Sequence, residues 1–520
     1  MNDHGFNFSL PSSTNDVAFL FTYEPYAACA FVEGASPAAL EQLNGYLKEI
    51  EASRATEGPE YFRVPPGRVL WPFQRGSLRY ALGRRHCLVG DQPGLGKTPI
   101  AICFANEVRA KHILVVCPAN IRLQWEKRIR EWDVDWQWSD RAHVITESRH
   151  GVNPDAKWTI ISYDLVRQSG LAAALANRRY DVLILDEAHY LKTIDSLRTR
   201  AIFGGGQDHD VGIASRAERV LALTGTPLPN RPREAYTLAR ALCWDSIDWL
   251  SEDGFKERFN PSRRVERVDK DTGNVNFYID ERSGRHAELQ ARLRVKFMCR
   301  HLKREVMPQL EMPVYDLIQV DETEAVRQAL AVESLLDIDP ESLAGCDAEV
   351  LGHVAVARRL MGLALAPQAA DYIDMLIRGG EEKIVVFGWH IEVLNILMER
   401  LGKHGAVRID GATGVKRKEQ LVERFIKDPG LNIIVGNIQS MGIGTDGLQL
   451  VSNHALIVEP SWTPGDNVQA FDRLDRGGQT RQVQGDIFVA PNSIAERVLA
   501  SALRKGQVTH KALDQEKWTC

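Results

Sequence analysis

The sequence has no C-x-x-C pair. Its eight cysteines stand apart, at positions 29, 87, 103, 117, 243, 299, 346 and 520, so neither a disulfide framework nor a zinc site is expected. No apolar run approaches the length needed to cross a bilayer. The first residues, MNDHGFNFSLPSSTNDVAFLF, lack the basic start of a secretory signal. There is no low-complexity tail and no short-period repeat. A positive balance is missing too: 64 Lys and Arg against 69 Asp and Glu leave a formal charge of −5. A nucleic-acid binder of this composition needs local basic surface, because the whole chain does not supply it. These absences set the expectation of a reducing, cytoplasmic setting without a membrane. What remains is an ordinary globular composition, 44% hydrophobic and 26% charged over 520 residues. That length is too great for one core and predicts about two to four domains.

Several short runs are apolar at every position, as strands covered on both faces should be. In the first half they are HCLVGD (86–91), HILVVCP (112–118), WTIISYD (158–164), DVLILDEAH (181–189) and VLALTGTP (220–227). Amphipathic segments such as ANIRLQWEKRIREW (119–132) separate them, which predicts a parallel sheet with helices on both sides. From about 246 to 365 the chain is charged and mostly helical in period, with a hairpin expected over 263–282 that turns at Asp271 to Asn274. The alternation resumes with KIVVFGW (383–389), AVRIDG (406–411), NIIVGN (432–437), HALIVEP (454–460) and QGDIFVA (484–490). The expected fold class is α/β: two parallel-sheet lobes in tandem, 66–245 and 366–520, around a helical insert, 246–365, after a small N-terminal accessory segment, 1–65.

Ligands of such sheets bind beyond the carboxyl ends of the strands, and the polar residues of the first lobe fall there. In LVGDQPGLGKTPIA (88–101), Gly94, Leu95 and Gly96 form a turn whose backbone N–H groups can wrap phosphate oxygens. Lys97 then faces the terminal phosphates and the Thr98 hydroxyl a magnesium ion. Pro99 falls in the first helical turn, where a missing N–H is tolerated. The usual pattern has glycine where this chain has Asp91, and a Gly-rich turn with a surface lysine would look the same in isolation. A second signal is LDEAH: Asp186 and Glu187 end a buried strand. A phosphate-bound magnesium needs a carboxylate, and hydrolysis needs a group to orient and deprotonate water. Asp186 suits the first role and Glu187 the second. Thr224-Gly225-Thr226-Pro227, at another strand end, could sense the γ-phosphate or be a plain turn. Gln74, about a helix before the loop, is positioned to read an adenine edge.

In the second half, DNVQAFDRLDRGGQTRQV (466–483) places Gln469, Arg473 and Arg476 at i, i+4 and i+7, one face of a helix. They read either as a solvated stripe or as arginine fingers, which stabilise a transferring phosphoryl group and are worth roughly 10³–10⁵ in rate.

In this order, the residues resemble the Swi/Snf-related ATPase family of superfamily-two helicase-like motors, over nearly all of 71 to 490. GDQPGLGKT looks like the family's D-E-M-G-L-G-K-T, in which an acid also replaces the first glycine. VVCPANIRLQW (115–125), IISYDLVR (160–167), LDEAHYLK (185–192), LTGTPLPNRPREAY (223–236), SMGIGTDGLQL (440–450) and QAFDRLDRGGQ (469–479) are similar to its motifs Ia, Ib, II, III, V and VI. ELQARLRVKFMCRHLKREVMPQL (288–310) resembles the E-L…M-x-R-R-x-K-x-D-V run of the annealing-helicase branch. Departures are Asp475 for a histidine, Gly477 for an apolar residue, Thr193 for an asparagine, and a motif V one residue longer that carries Asp446.

The resemblance implies RecA-like lobes, ATP and Mg2+ as cofactors, and translocation on double-stranded or branched DNA without reading its sequence. Lys97, Asp186, Glu187, Arg473 and Arg476 would be catalytic. Gly444, Asp446 and Gln469 would join Gln74 and the loop in binding nucleotide. Pro118, Ala119, Asn120, Ser162, Tyr163, Ser440 and Gly442 would meet DNA phosphates, with help from Arg263–Arg264, Arg300 to Arg304 and Lys416 to Lys418, each of which reads equally as a solvated face. A monomer is expected, working with replication, repair or phage proteins. A strand-separating helicase and a nucleotide-gated DNA-binding scaffold without hydrolysis are the rival readings.

Overall fold

Runs that are apolar at every position cannot show one face to water, and in the structure they are strands of two parallel sheets. This computed structural model describes residues 37–136, 142–205, 212–228, 231–268, 275–281, 285–311, 313–335, 348–441, 445–461, 464–497 and 499. These fall into two compact units divided between His301 and Leu302, with Pro93–Leu95 grouped with the second.

The first unit contains β1 (His86–Val89), β2 (Ile113–Cys117), β3 (Ala142–Val144), β4 (Trp158–Ser162), β5 (Tyr180–Asp186), β6 (Ala217–Leu223), β7 (Ser262–Val268), β8 (Val275–Glu281) and β9 (Met298–Cys299). Seven of them form one sheet in the order β3-β4-β2-β5-β6-β1-β9, parallel throughout. Its register matters for function. Val89 and Asp186 both pair with Leu223 of β6, so the loops after β1, β5 and β6 leave the sheet side by side at one edge. β7 and β8 form the expected antiparallel hairpin; its turn at 271–274 lies outside the described residues. The N-terminal helix Pro37–Ser53 belongs to this unit and docks at β9: Arg300 N–H donates to Ser53 O at 3.2 Å.

The second unit contains β10 (Val314–Gln319), β11 (Ile384–Gly388), β12 (Ala406–Ile409), β13 (Ile433–Asn437), β14 (His454–Ile457) and β15 (Gln484–Val489). Its order is β10-β15-β14-β11-β13-β12, again parallel throughout. Alternate residues of β11 feed two cores: Val386 packs with Ile373, Leu394 and Phe488 on one face, and Phe387 with Phe425, Ile434 and Leu474 on the other.

The stretch 246–365 is divided by the fold. Its first part, with the helix His286–Lys296 and β9, is built into the first unit. Its last part, with β10 and the 31-residue helix Ala348–Arg378, is built into the second. Among the described residues, no helix is long and apolar enough to cross a membrane.

Candidate nucleotide site

The loop after β1 has the backbone that phosphate cradling requires. Gly94 and Gly96 have φ of 85° and 74°, in the left-handed region that glycine enters without cost. At Gly96 a Cβ would also stand 2.4 Å from the Gln74 amide nitrogen, so two independent reasons fix glycine there. The helix Lys97–Glu107 starts at once, which aims its first N–H groups at the loop. Leu95 is buried and Thr98 half-buried. The Lys97 ammonium donates to Asp91 O at 2.7 Å and Gln92 O at 3.3 Å, over the mouth of the loop.

Asp91 explains why an acid replaces the first glycine. Its carboxylate is fully buried and accepts from Ser77 Oγ, His301 N and His301 Nδ1, each at 2.9 Å. Burial would raise the Asp91 pKa, but the His301 charge, the hydrogen bonds from His301 and Ser77, and the nearby Lys97 together hold it below its usual value. Burial likewise works against charged His301, and Asp91 overrides it and raises the imidazole. The depressed carboxyl contributes stability that is lost as pH falls through its folded pKa. The raised imidazole contributes stability that is lost as pH rises through its own. The pair therefore stabilises most between about pH 4 and about pH 6.5. Asp91→Ala, which leaves His301 buried without this partner, is expected to cost about 3–5 kcal/mol, read from denaturant unfolding in that window. A loss under about 1 kcal/mol would mean that the pair does not hold the loop.

Side by side with this loop, β5 delivers Asp186 and Glu187. Asp186 accepts from Trp125 Nε1 at 2.7 Å and from Glu187 N at 3.0 Å. Burial, and then the adjacent Glu187 charge, raise its pKa to about 7. Because the folded value exceeds the unfolded one, the folded state binds the extra proton. Stability must fall as pH rises from about 4 to about 7. Asp186→Asn is expected to remove about 1.4 kcal/mol of the stability difference between about pH 6 and about pH 8, measured by thermal unfolding without nucleotide; an unchanged slope would refute the raised carboxyl. Such a group is suited to a cation. Magnesium takes one or two carboxylates plus substrate phosphates rather than an all-protein cage. Thr98 and Asp186 are the residues that would provide such donors.

Glu187 holds a left-handed backbone, φ 51° and ψ 51°, a strained conformation for a residue with a side chain. His189 joins it to the turn after β6: Nδ1 lies 3.3 Å from Glu187 Oε2 and 3.0 Å from Thr224 Oγ1. Thr224 is buried and its hydroxyl accepts from Thr226 N at 3.1 Å. Gln74 is buried; its Oε1 accepts from Trp71 N at 2.9 Å and its amide nitrogen faces Gly96.

In the second unit, Gln469 is half-buried in the helix Pro464–Phe471. The expected common helical face is not formed: the helix ends at Phe471, and Arg473 and Arg476 lie in the turns that follow. Arg476 Nη1 donates to Asp446 Oδ1 at 2.7 Å and its Nε to Asp472 O at 2.6 Å. Asp446, expected against nucleotide, is thus set against an arginine. Gly442 and Gly444 lie outside the described residues.

The expected DNA contacts separate. Ala119 is exposed and Asn120 and Ser440 half-buried at strand ends, while Pro118 is buried. Ser162 and Tyr163 are corrected: at 1% and 2% exposure their side chains cannot meet DNA. Tyr163 instead donates to Asp186 O at 2.8 Å and stacks on Tyr190. Among the basic clusters, Arg300, Lys303 and Lys418 are buried. Arg300 donates to Gly90 O and Gly225 O, and Lys418 to Ser440 O. Burial, and then the Arg473 charge, lower the Lys418 pKa to about 8. Lys416 and Arg417 are exposed, and the side chains of Arg263 and Arg264 lie outside the described residues.

Comparison with known proteins adds the family. Residues 68–338, more than half of the chain, match the SNF2-related domain. The chain belongs to the SNF2-related family. Residues 368–478 match the helicase conserved C-terminal domain. Similar proteins include the bovine DNA annealing helicase and endonuclease ZRANB3, 28% identical over 475 residues, which are 86% of this chain and 42% of that protein. Another, from Xenopus laevis, is the SWI/SNF-related matrix-associated actin-dependent regulator of chromatin subfamily A-like protein 1. It is 30% identical over 432 residues, 81% of this chain and 42% of that protein. This chain therefore spans under half the length of either relative. A solved structure, the Sulfolobus solfataricus SWI2/SNF2 ATPase core in complex with dsDNA, superposes with a TM-score of 0.39 at 17% identity, covering 86% of this chain and 98% of that one.

Proposed function

We propose that this chain is an ATP-dependent translocase on double-stranded DNA that moves on or remodels forks or protein–DNA structures. The observation that carries the ATPase half is the shared edge of the first sheet. There the phosphate loop, the Asp186–Glu187 pair and the Thr224 turn emerge together from β1, β5 and β6. Lys97 leaves its loop carbonyls to hold the terminal phosphates. Thr98 and Asp186 would hold magnesium, which would neutralise phosphate charge. Glu187 orients and deprotonates the attacking water, with His189 beside it. Arg473 and Arg476 stabilise charge on the transferring phosphoryl group. The DNA half is supported by the family and by a relative named as a DNA annealing helicase and endonuclease. Ala119, Asn120 and Ser440 then track phosphates, a mode that carries no base specificity.

The test is the ATPase rate with no nucleic acid and with single-stranded, double-stranded and forked DNA, and RNA. Stimulation by duplex or forked DNA supports the proposal. Turnover that ignores DNA would overturn it. A triplex-displacement signal without strand displacement separates translocation from strand separation.

A further inference from the structure

Lys303 is the second residue past the division between the units. The sequence offers it as one of a basic run, suited to solvent or to phosphate. The structure spends it elsewhere. Its ammonium donates to Asp472 Oδ1 and to Asp475 Oδ2, both at 2.6 Å. The lysine side chain is 11% exposed and each carboxylate 9%. These acids flank Arg473, and Asp475 directly precedes Arg476. Asp475 is also where the sequence departs from the motif it resembles, which has a histidine. A histidine at that point could not answer a buried ammonium with opposite charge.

From this geometry we infer that Lys303 is a positioning residue for the arginine-bearing segment 472–476, with Asp472 and Asp475 as its partners. The inference deepens the proposed function and rests on it for the role of the arginines. The segment lacks the regular bonding of a helix. Its backbone bonds are of mixed span: Arg473 N–H to Ala470 O at 3.2 Å, Leu474 N–H to Phe471 O at 2.9 Å and Arg476 N–H to Leu474 O at 3.0 Å are tight turns, and Asp475 N–H to Phe471 O at 3.2 Å is a single bond of helical span. Buried Leu474 anchors one side of it. On the side of the acids, Lys303 draws two carboxylates three residues apart toward one point. That shapes the turn and presents Arg476, whose Nε is bonded to the carbonyl of Asp472 itself. Without the ammonium, two buried acids repel one another and the turn opens.

The test compares wild type with Lys303→Met, Lys303→Arg and Asp475→His, in the full chain, by two readouts. Amide hydrogen exchange over 470–479 reports the segment directly. It is expected to quicken about tenfold or more in Lys303→Met, partly in Asp475→His, and little in Lys303→Arg. ATP turnover is expected to fall about tenfold or more in Lys303→Met with the KM for ATP unchanged, and to recover in Lys303→Arg. Unchanged exchange in Lys303→Met overturns the inference whatever the turnover. Quickened exchange in a chain whose wild type hydrolyses no ATP upholds the positioning and refutes the proposed function instead. Should Lys303→Met fail to fold, the triple variant Lys303→Met, Asp472→Asn, Asp475→Asn removes the stranded charges. Wild-type exchange and turnover in that variant would overturn the inference; quickened exchange upholds it.

Discussion

Arg476→Ala should lower ATP turnover by about 10³-fold or more while ATP affinity stays within a few-fold of wild type. The expectation follows from how the side chain is held. Asp446 and the Asp472 carbonyl take donors from two different nitrogens of the guanidinium, out of five N–H donors in a rigid fork. A group fixed at two points needs little reorganisation when charge develops on the γ-phosphate, and that preorganisation makes an arginine finger effective. Affinity should survive because, under the proposed function, Lys97 and the glycine turn after β1 would supply the ground-state phosphate contacts. Removing Arg476 should also leave the fold nearly intact. Its partner Asp446 is 34% exposed in its side chain, so the orphaned carboxylate can be solvated and the lost pair is worth no more than about 1 kcal/mol. Arg476→Lys should rescue little, because a point charge cannot reproduce the fork. Single-turnover phosphate release beside equilibrium binding of a fluorescent ATP analogue separates the two quantities. Normal hydrolysis in Arg476→Ala would remove the arginines from the mechanism.

Much of this frame was legible in the residues, and the misses have physical causes. Nine of the ten runs read correctly because a strand covered on both faces is apolar nearly throughout; the tenth, β12, is an edge strand that alternates half-buried and buried residues. Strands that lack that burial did not show. β3 is three half-buried residues, and β9, though buried, is only two residues long and too short to read as a run. β10 reads VYDLIQ, yet Val314, Tyr315 and Leu317 are 42%, 51% and 52% exposed. Its apolar content comes from an edge position, where one face need not be covered. The left-handed glycine turn after β1 and the acids that end β5 were legible because backbone geometry constrains them locally. Their supports were not: Trp125 reaches Asp186 across 61 residues of chain, His301 reaches Asp91 across 210, and Lys303 reaches Asp475 across 172. The helical phase of Gln469, Arg473 and Arg476 failed for the same reason. Tertiary ties at Asp472 and Asp475 outcompete the continuation of a short helix, and periodicity carries no sign of them. Tyr163 misled differently, since its motif marks a strand end near the site while its hydroxyl is committed to the Asp186 backbone.

Glu187→Gln should bind ATP as the wild type does and hydrolyse it about 10²–10⁴-fold more slowly, the usual worth of a positioned general base. The replacement is isosteric and keeps whatever hydrogen bond orients the side chain, so the change isolates proton acceptance. The backbone argues that this side chain is placed on purpose. A left-handed conformation at a residue with a Cβ costs on the order of 1–2 kcal/mol, and it persists here because both flanks are fixed. Glu187 N–H is bonded to Asp186 Oδ1 at 3.0 Å, and Tyr190 N–H to Glu187 O at 2.9 Å. The turn swings Glu187 out of the strand, so that successive acids point different ways: Asp186 stays buried under Trp125 while Glu187 is 23% exposed in its side chain. Two adjacent carboxylates thus acquire two environments, as the proposed division of roles between cation and water requires. Glu187→Gly is the complementary variant. It should relieve the strain and leave stability unchanged or higher, measured by thermal unfolding, while turnover falls at least as far as in Glu187→Gln. If Glu187→Gln turned over ATP within a few-fold of wild type, the water would have to be activated elsewhere, and the strained turn would have no catalytic reason.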